Sequence, residues 1–223
     1  MTPDNAWDMG DPHVDDELIT DSDDDEDEEP TSIVAVCPIS PELAAQIFSM
    51  AELDWTDPDA TKAAMTAAGW TSTGDYLGEL GERAYTPAGH LVYGDDCLAM
   101  PFAYDFWIHP DGAWTEDVWA DQPGWHSLVD PPPGTVAAQL EAVVATFTEL
   151  MGPADHDVTH EPRPEFKYRW RYRAWRRGDN VVVVSPGLDP HSYSQFVHLL
   201  VQIRSLPSTA PFPAGRDLPN FSW

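Results

Sequence analysis

The sequence feature that most constrains the fold is the segment Pro164–Arg177, PEFKYRWRYRAWRR. Over positions 166 to 174, aromatic residues and one alanine occupy one parity, and cations occupy the other. A period of two is typical of a β-strand, whose successive side chains point to opposite faces, whereas an α-helix would scatter both sets around its circumference. The segment therefore predicts a strand with an aromatic face and a cationic face.

This segment is unusual because the rest of the chain is acidic. Residues 163–177 contain seven of the eleven Lys and Arg residues, while the 223-residue chain has 39 acids and a formal net charge of −28. The field of such a molecule repels phosphate, so the charge argues against general binding to nucleic acids or anionic membranes. It favours a basic protein as partner, or serves only to keep the protein highly soluble.

Half of the net charge lies at the N-terminus, since residues 1–31 contain fourteen acids and no Lys or Arg. Like charges repel and there is little apolar surface to bury, which predicts a disordered acidic tail. Such a tail either solvates the protein or competes for a basic surface, its own arginine-rich strand or a partner's. We predict a single α+β domain over 32–206 and a Pro-rich, extended C-terminal tail over 207–223, with Phe212, Phe221 and Trp223 as docking side chains.

No basic and apolar leader opens the sequence, and no apolar run approaches the roughly 20 residues of a membrane span. We therefore expect a cytoplasmic protein that does not insert into a membrane. In that compartment Cys37 and Cys97 are expected to be reduced thiols.

Three segments have helical signatures. Ser40-Pro41-Glu42 combines an N-cap with proline and an acid in the first turn, and predicts a helix over 41–53. Asp57-Pro58 begins a second helix that ends at Gly69, with Trp55 and Trp70 as anchors to a sheet. Its predicted apolar stripe is Ala60, Ala63, Ala64 and Ala67. Apolar residues repeat at three and four positions along 135–151, which predicts a third helix.

The remaining apolar segments alternate like strands. Ile33–Cys37 is either an edge strand or the lead-in to the first helix. Residues 83–86 and 90–93 flank the turn Pro87-Ala88-Gly89 as a hairpin. Residues 97–109 carry one apolar face, with Pro101 as a bulge or edge position and 113–119 as the returning partner strand. That apolar face is predicted to contain Leu98, Met100, Phe102, Tyr104, Phe106 and Ile108.

The second half is predicted to contain loops at 121–133 and 154–162, and strands at 181–185 and 195–205. A helix is the alternative for 195–205. The order is two helices, three or four strands, a helix and three strands. It predicts an α+β fold in which an antiparallel sheet of two strand meanders is packed on one face by helices.

The cationic face of the arginine-rich strand has three interpretations. Its charges are solvated or paired with acids across strands, or they form an anion or acidic-peptide site, or they bind single-stranded nucleic acid beside stacking aromatics. The candidate anion-binding residues are Lys167, Arg169, Arg171 and Arg173.

Evidence for catalytic or cofactor chemistry is weak. His156, Asp157 and His160 are of the types that bind zinc or manganese, but a polar surface loop is the preferred interpretation. No nucleophile motif, phosphate-binding loop or dinucleotide fingerprint is present in the sequence. We predict a protein that is not an enzyme and needs no cofactor.

Tryptophans and acids are concentrated near positions 105–125. Exposed aromatic residues would supply contact area and acids would steer a basic partner, so this region is a candidate partner-binding patch. The alternative is a second core beneath the loop. The candidate residues are Trp107, Trp114, Glu116, Asp117, Trp119, Asp121 and Trp125.

Two groups of short motifs resemble small actinobacterial α+β proteins of unknown function, over about residues 43–205. The first group is Leu53-Asp54-Trp55-Thr56 and Ala67-Ala68-Gly69-Trp70. The second is Leu150-Met151-Gly152-Pro153, Tyr168-Arg169-Trp170-Arg171 and Val181–Val184. Families of this kind resemble the immunity proteins encoded beside secreted toxins, and this resemblance implies a non-enzymatic toxin binder.

We therefore expect a protein-binding module of immunity type, which masks a basic partner such as a toxin. The alternatives are an adaptor or secretion-chaperone-like protein that holds clients, and an anion- or metal-binding enzyme domain.

Overall fold

The computed structural model describes residues 29–55, 57–76, 82–93, 97–110, 115–160, 170–188 and 196–213. Three helices and ten strands lie in these segments. The helices are α1 (Pro41–Met50), α2 (Pro58–Ala67) and α3 (Thr135–Met151). The strands of the first half are β1 (Thr31–Val36), β2 (Thr71–Tyr76), β3 (Glu82–Tyr85), β4 (Leu91–Tyr93), β5 (Leu98–Ile108) and β6 (His126–Val129). Those of the second half are β7 (His156–His160), β8 (Trp170–Arg177), β9 (Asn180–Leu188) and β10 (Val197–Ser205).

All ten strands belong to one antiparallel sheet, which confirms the predicted α+β class. Two meanders, β2-β3-β4-β5 and β10-β9-β8-β7, meet where β5 pairs with β10. Strand β1 pairs with the second half of β5 and with β6. The element order differs from the prediction because β1, β2, β6 and β7 were not counted as strands.

Helices α1 and α3 pack on one face of the sheet and form the main core with it. Helix α1 begins where predicted, since the Ser40 hydroxyl accepts a hydrogen bond from the Leu43 amide at 3.2 Å. Trp55 and Trp70 are both buried in this core, as predicted. The predicted stripe of α2 is only partly right. Ala60 and Ala64 are partly buried, but Ala63 and Ala67 are exposed, and Thr61 is the buried residue.

A β-bulge at Phe102 divides β5 into two halves. In the pairing with β10, Pro101 lies opposite Leu200 and Ala103 lies opposite Leu199, which leaves Phe102 without a partner in this ladder. One extra residue reverses the side-chain alternation. The predicted bulge near Pro101 is confirmed, and the single apolar face over 98–108 is wrong.

The two halves of β5 consequently serve two cores. Leu98, Met100 and Phe102 belong to the helix-side core. Tyr104 and Phe106 lie on the opposite face, in a smaller cluster with Ile33, Ala35, Cys37, Trp125 and Phe196.

Several loop and strand assignments need correction. The run Ile33–Cys37 is neither an edge strand nor a helix lead-in, because β1 has a neighbour on each side. The predicted loops at 121–133 and 154–162 contain β6 and β7. No strand is present over 115–119, and residues 111–114 lie outside the described part. The partners that β5 needs come from distant β1 and β10, which local patterning does not reveal.

The arginine-rich strand and the last strand confirm their predicted periodicity. In β8, Tyr172 and Ala174 contribute to a third cluster on the face opposite the helices, while Trp175 lies in the helix-side core. In β10, Leu199, Val201 and Ile203 face the helices, so the strand assignment is right and the helix alternative is wrong. In the described segments no helix is long and apolar enough to cross a membrane.

Candidate functional site

The cationic face of β8 is engaged with the protein's own acids. Asp157 lies opposite Arg173 in the β7–β8 ladder, so its side chain points to the same face of the sheet. Arg171 donates two hydrogen bonds to the Asp157 carboxylate, both at 2.9 Å. Arg173 donates to both Glu141 oxygens on α3, at 3.0 and 2.9 Å. The four side chains form one network that joins β7, β8 and α3.

The electrostatics of this network suit a structural role. The hydrogen bond from Arg171, aided by the charge of Arg173, lowers the pKa of Asp157 below its usual range. The Arg173 side chain is 5 % exposed, and that of Glu141 is 52 % exposed. Of the candidate anion-binding residues, Arg171 and Arg173 thus already have carboxylate partners. Lys167 and Arg169 lie outside the described residues.

Arg176, on the other face of β8, holds the C-terminal segment. Its guanidinium donates to the carbonyls of Leu206, Pro207 and Ala210 at 2.8 to 2.9 Å. It also lies over the Phe212 ring, 4.6 Å from the centroid. Phe212 therefore docks against the sheet, whereas Phe221 and Trp223 lie outside the described residues.

The candidate metal ligands do not converge. His156 and Asp157 are neighbours on β7, so they point to opposite faces of the sheet. The His156 ring stacks on Phe212 with centroids 4.8 Å apart, while Asp157 holds the arginines. The side chain of His160 is not among those described. No group of three or more metal-binding side chains occurs in the described segments.

The predicted tryptophan patch is divided between the two faces of the sheet. Trp119 packs against Tyr104 with ring centroids 4.2 Å apart, and Trp125 is buried beside the same ring. These two tryptophans form the second core, which was the alternative interpretation. Trp107 is 42 % exposed and lies on the helix-side face.

The acids of the predicted tryptophan patch lie on the loop over residues 115–125, where Glu116 and Asp121 are exposed. The Asp117 carboxylate accepts a hydrogen bond from the Trp119 amide at 2.9 Å and shapes the loop. Trp114 lies outside the described residues.

The end of the loop over residues 115–125 packs tightly against the β3–β4 turn. The Trp125 indole N–H donates to the Gly89 carbonyl at 3.2 Å. A Cβ on Gly89 would overlap the Pro123 carbonyl, and a Cβ on Gly124 would overlap the Ala88 carbonyl. The Cys37 thiol, whose pKa burial raises to about 12, points at the Ala88 carbonyl at 3.5 Å. Cys37 and Cys97 are both free and buried.

An exposed apolar surface remains at the β5–β1–β6 end of the sheet, and sequence reasoning recognised only part of it. Its members Trp107, Leu128 and Val129 are 42 %, 42 % and 63 % exposed. We call these three residues the apolar end surface, which extends over both faces of this end of the sheet. Trp107 and Leu128 lie on the helix-side face, where Leu128 pairs with Val34, and Val129 lies on the other face, where it pairs with Ile33. The apolar pair Leu128-Val129 was the available signal, but it lay in a stretch predicted to be a loop.

Two concave regions flank these features. A groove of about 330 Å³ runs beside Trp107, between Val34 and the three prolines Pro131–Pro133. At the opposite end of the sheet, a cleft of about 720 Å³ opens between the end of α1 and the β8–β9 turn. Its rim carries Glu52, Asp54 and Asp179, with Arg177 as the cation. The groove is the better candidate for protein contact because it adjoins exposed apolar side chains.

Comparison of the chain with protein-family models, with curated proteins and with solved structures found no match.

Proposed function

We propose that this protein is a non-enzymatic module that binds a basic protein, in the manner of an immunity protein that masks a toxin. The observation that carries the proposal is that the arginines of β8 already bind groups within the protein itself. Arg171 and Arg173 are paired with internal carboxylates, and Arg176 is paired with backbone carbonyls. The acids are far more numerous, and the whole chain keeps a net charge of −28. This balance suits a cationic partner better than an anionic one.

The apolar end surface is the proposed contact region. A few buried anchors at the centre of an interface, most often Trp, Tyr or Arg, supply most of its binding free energy, and surrounding charges supply association rate and selectivity. Trp107 is the large aromatic anchor, with the groove at Pro131–Pro133 beside it. Asp130 is exposed at the end of β6, and Glu116 and Asp121 are exposed on the loop that covers the second core. Masking by occlusion requires no chemistry from this chain.

The test is retention of a partner from the source organism's lysate by the full-length protein, at low and high salt. We expect one stoichiometric basic protein that high salt releases. Replacing Trp107 with alanine should weaken that partner's affinity about tenfold or more, because anchor truncations cost roughly 1 to 2 kcal/mol or more. Tyr85→Ala is the matched control, since Tyr85 is 41 % exposed and lies on β3 instead.

Equal losses from Trp107→Ala and Tyr85→Ala, or no retained basic protein, would contradict the proposal. Retention of many unfolded clients would favour the chaperone or adaptor alternative.

A further inference from the structure

In the described part of the chain, strand β6 is a four-residue edge of the sheet. Within the described residues it pairs with β1 alone. Natural edge strands usually carry a proline, a charge or a bulge that discourages further pairing. The sequence of β6, His-Ser-Leu-Val, has no proline and no carboxylate or Lys/Arg side chain. The other two edges differ, because β2 has an irregular register at Gly74 and β7 carries the bonded Asp157.

The hydrogen-bond register identifies which peptide groups of β6 face outward. The Asp130 amide donates to the Ser32 carbonyl at 2.8 Å, so residue 130 points its peptide groups toward β1. Antiparallel ladders alternate, and residue 128 therefore also faces β1. Ser127 and Val129 turn their N–H and C=O groups away from β1. The backbone groups of these two residues are therefore the ones to which an additional strand would hydrogen-bond.

Side chains on both faces of this edge are apolar and exposed. Leu128 lies on the helix-side face with Val34, and Val129 lies on the other face with Ile33. An added strand presents alternate side chains to the two faces. The side chains on one face of the added strand would therefore cover Leu128, beside the Trp107 groove, and those on its other face would cover Val129.

The charge around the edge specifies the occupant. The Ser32 amide donates to the Asp130 carboxylate at 3.3 Å, which places that carboxylate where the acidic N-terminal segment joins β1. In the sequence, residues 1–31, which lead into β1, contain fourteen acids. A second copy of the chain would bring another charge of −28, so mutual repulsion opposes it. A cationic segment is attracted instead.

We infer that β6 is a strand-addition site for an extended segment with alternating cationic and apolar residues, supplied by the basic partner. The inference rests on the proposed function and specifies how that partner is held. Main-chain hydrogen bonds to Ser127 and Val129 supply affinity, and the contacts of alternate side chains supply selectivity.

The probe is a heptapeptide of alternating lysine and valine, compared with a twin whose central valine is proline. Binding to the full chain is measured by titration calorimetry, and amide hydrogen exchange is followed by NMR. We expect the first peptide to bind about tenfold or more tightly than its proline twin. Exchange at the Ser127 and Val129 amides should slow when the first peptide binds.

Val129→Pro is the decisive variant, because it removes an outward N–H and leaves the β1–β6 hydrogen bonds in place. We expect it to weaken binding about tenfold or more. Val129→Thr keeps the N–H and the strand preference, and should stay within about threefold of the parent. Slow exchange of the Leu128 amide, which faces β1, verifies that β6 remains paired in both variants.

Unchanged affinity in a Val129→Pro variant with a protected Leu128 amide would overturn the strand-addition site. So would equal binding of both peptides. If the lysate partner then remains sensitive to Trp107→Ala but not to Val129→Pro, the proposed function stands without this mode. If wild-type protein retains no basic partner, the proposed function itself fails.

Discussion

At the scale of single residues, His90 shows how the sheet fixes a protonation state. The side chain is fully buried, with Nε2 2.9 Å from the Cys37 carbonyl and Nδ1 3.2 Å from the Thr86 hydroxyl. A carbonyl oxygen only accepts, so Nε2 carries the proton and Nδ1 accepts from Thr86. Burial lowers the pKa of His90, and the Cys37 carbonyl acts in the opposite direction with a smaller effect. The neutral ring ties the β3–β4 hairpin to the end of β1.

His90 predicts a loss of stability in mild acid. Its pKa in the folded protein lies below the ordinary value of 6.5, so the unfolded chain binds more protons in the interval between them. The free energy of unfolding should therefore fall as the pH drops below about 6.5. His90→Gln retains an N–H donor and does not titrate, so it should reduce this fall between pH 7.5 and 5.5 in urea unfolding experiments. His109→Gln, at an exposed position, is the control; equal pH slopes in both variants would refute the assignment.

At the scale of secondary-structure elements, turns and bulges decide which strands meet. The bulge at Phe102 turns the first half of β5 toward the helices and the second half toward Trp119 and Trp125. The turn at Gly89 then packs directly against Pro123 and Gly124 of the loop that covers this second core. The two backbone segments are in direct contact there, so neither Gly89 nor Gly124 has room for a side chain.

This packing predicts unequal costs for two glycine substitutions with similar backbone angles. Gly89 has φ +96° and Gly134 has φ +89°, so alanine at either site should cost about 1–2 kcal/mol of backbone strain. A Cβ on Gly89 also overlaps the Pro123 carbonyl, which adds roughly 1–3 kcal/mol, whereas nothing lies within 4 Å of a Cβ on Gly134. Gly89→Ala should therefore lower the free energy of unfolding in urea by more than Gly134→Ala. A smaller loss at Gly89 would contradict the packing.

At the scale of the whole molecule, charge is divided between an acidic N-terminal sequence and a domain in which Arg171, Arg173 and Arg176 of β8 are paired internally. The first 31 residues carry half of the net charge of −28. Arg171 and Arg173 are hydrogen-bonded to Asp157 and Glu141. Because these carboxylates neutralise the two guanidinium charges, the arginines attract the N-terminal acids only weakly. We therefore expect the acidic segment to act on a partner.

This division predicts a kinetic effect. Replacing the seven acids of residues 23–29 with Asn and Gln should slow association with the basic partner about tenfold at low salt, because long-range attraction accelerates encounter. The dissociation rate should change little, and the difference should shrink as salt screens the charges. Surface plasmon resonance at two ionic strengths measures both rates. An unchanged association rate would show that the segment only solvates the protein.

The candidate site was only partly predictable from the sequence. The alternation in β8 predicted a cationic face, but Asp157 and Glu141 are distant in sequence and their contacts with it were not visible. Trp107 was selected for its parity on β5, and it is exposed. Leu128 and Val129 were missed because a four-residue strand with no local hairpin partner resembles a loop.

The sequence by itself determined the features that depend on local physics. The N-cap at Ser40, the three- and four-residue repeat of α3 and the alternation of β8 and β10 each reflect neighbours along the chain. Only the tertiary structure decided that β1 lies inside the sheet, that Phe102 reverses the faces of β5, and that β6 pairs with β1 alone among the described residues. The reason is that strand pairing joins residues far apart in sequence. The neighbour of a strand in the sheet therefore depends on tertiary packing and not on that strand's own sequence.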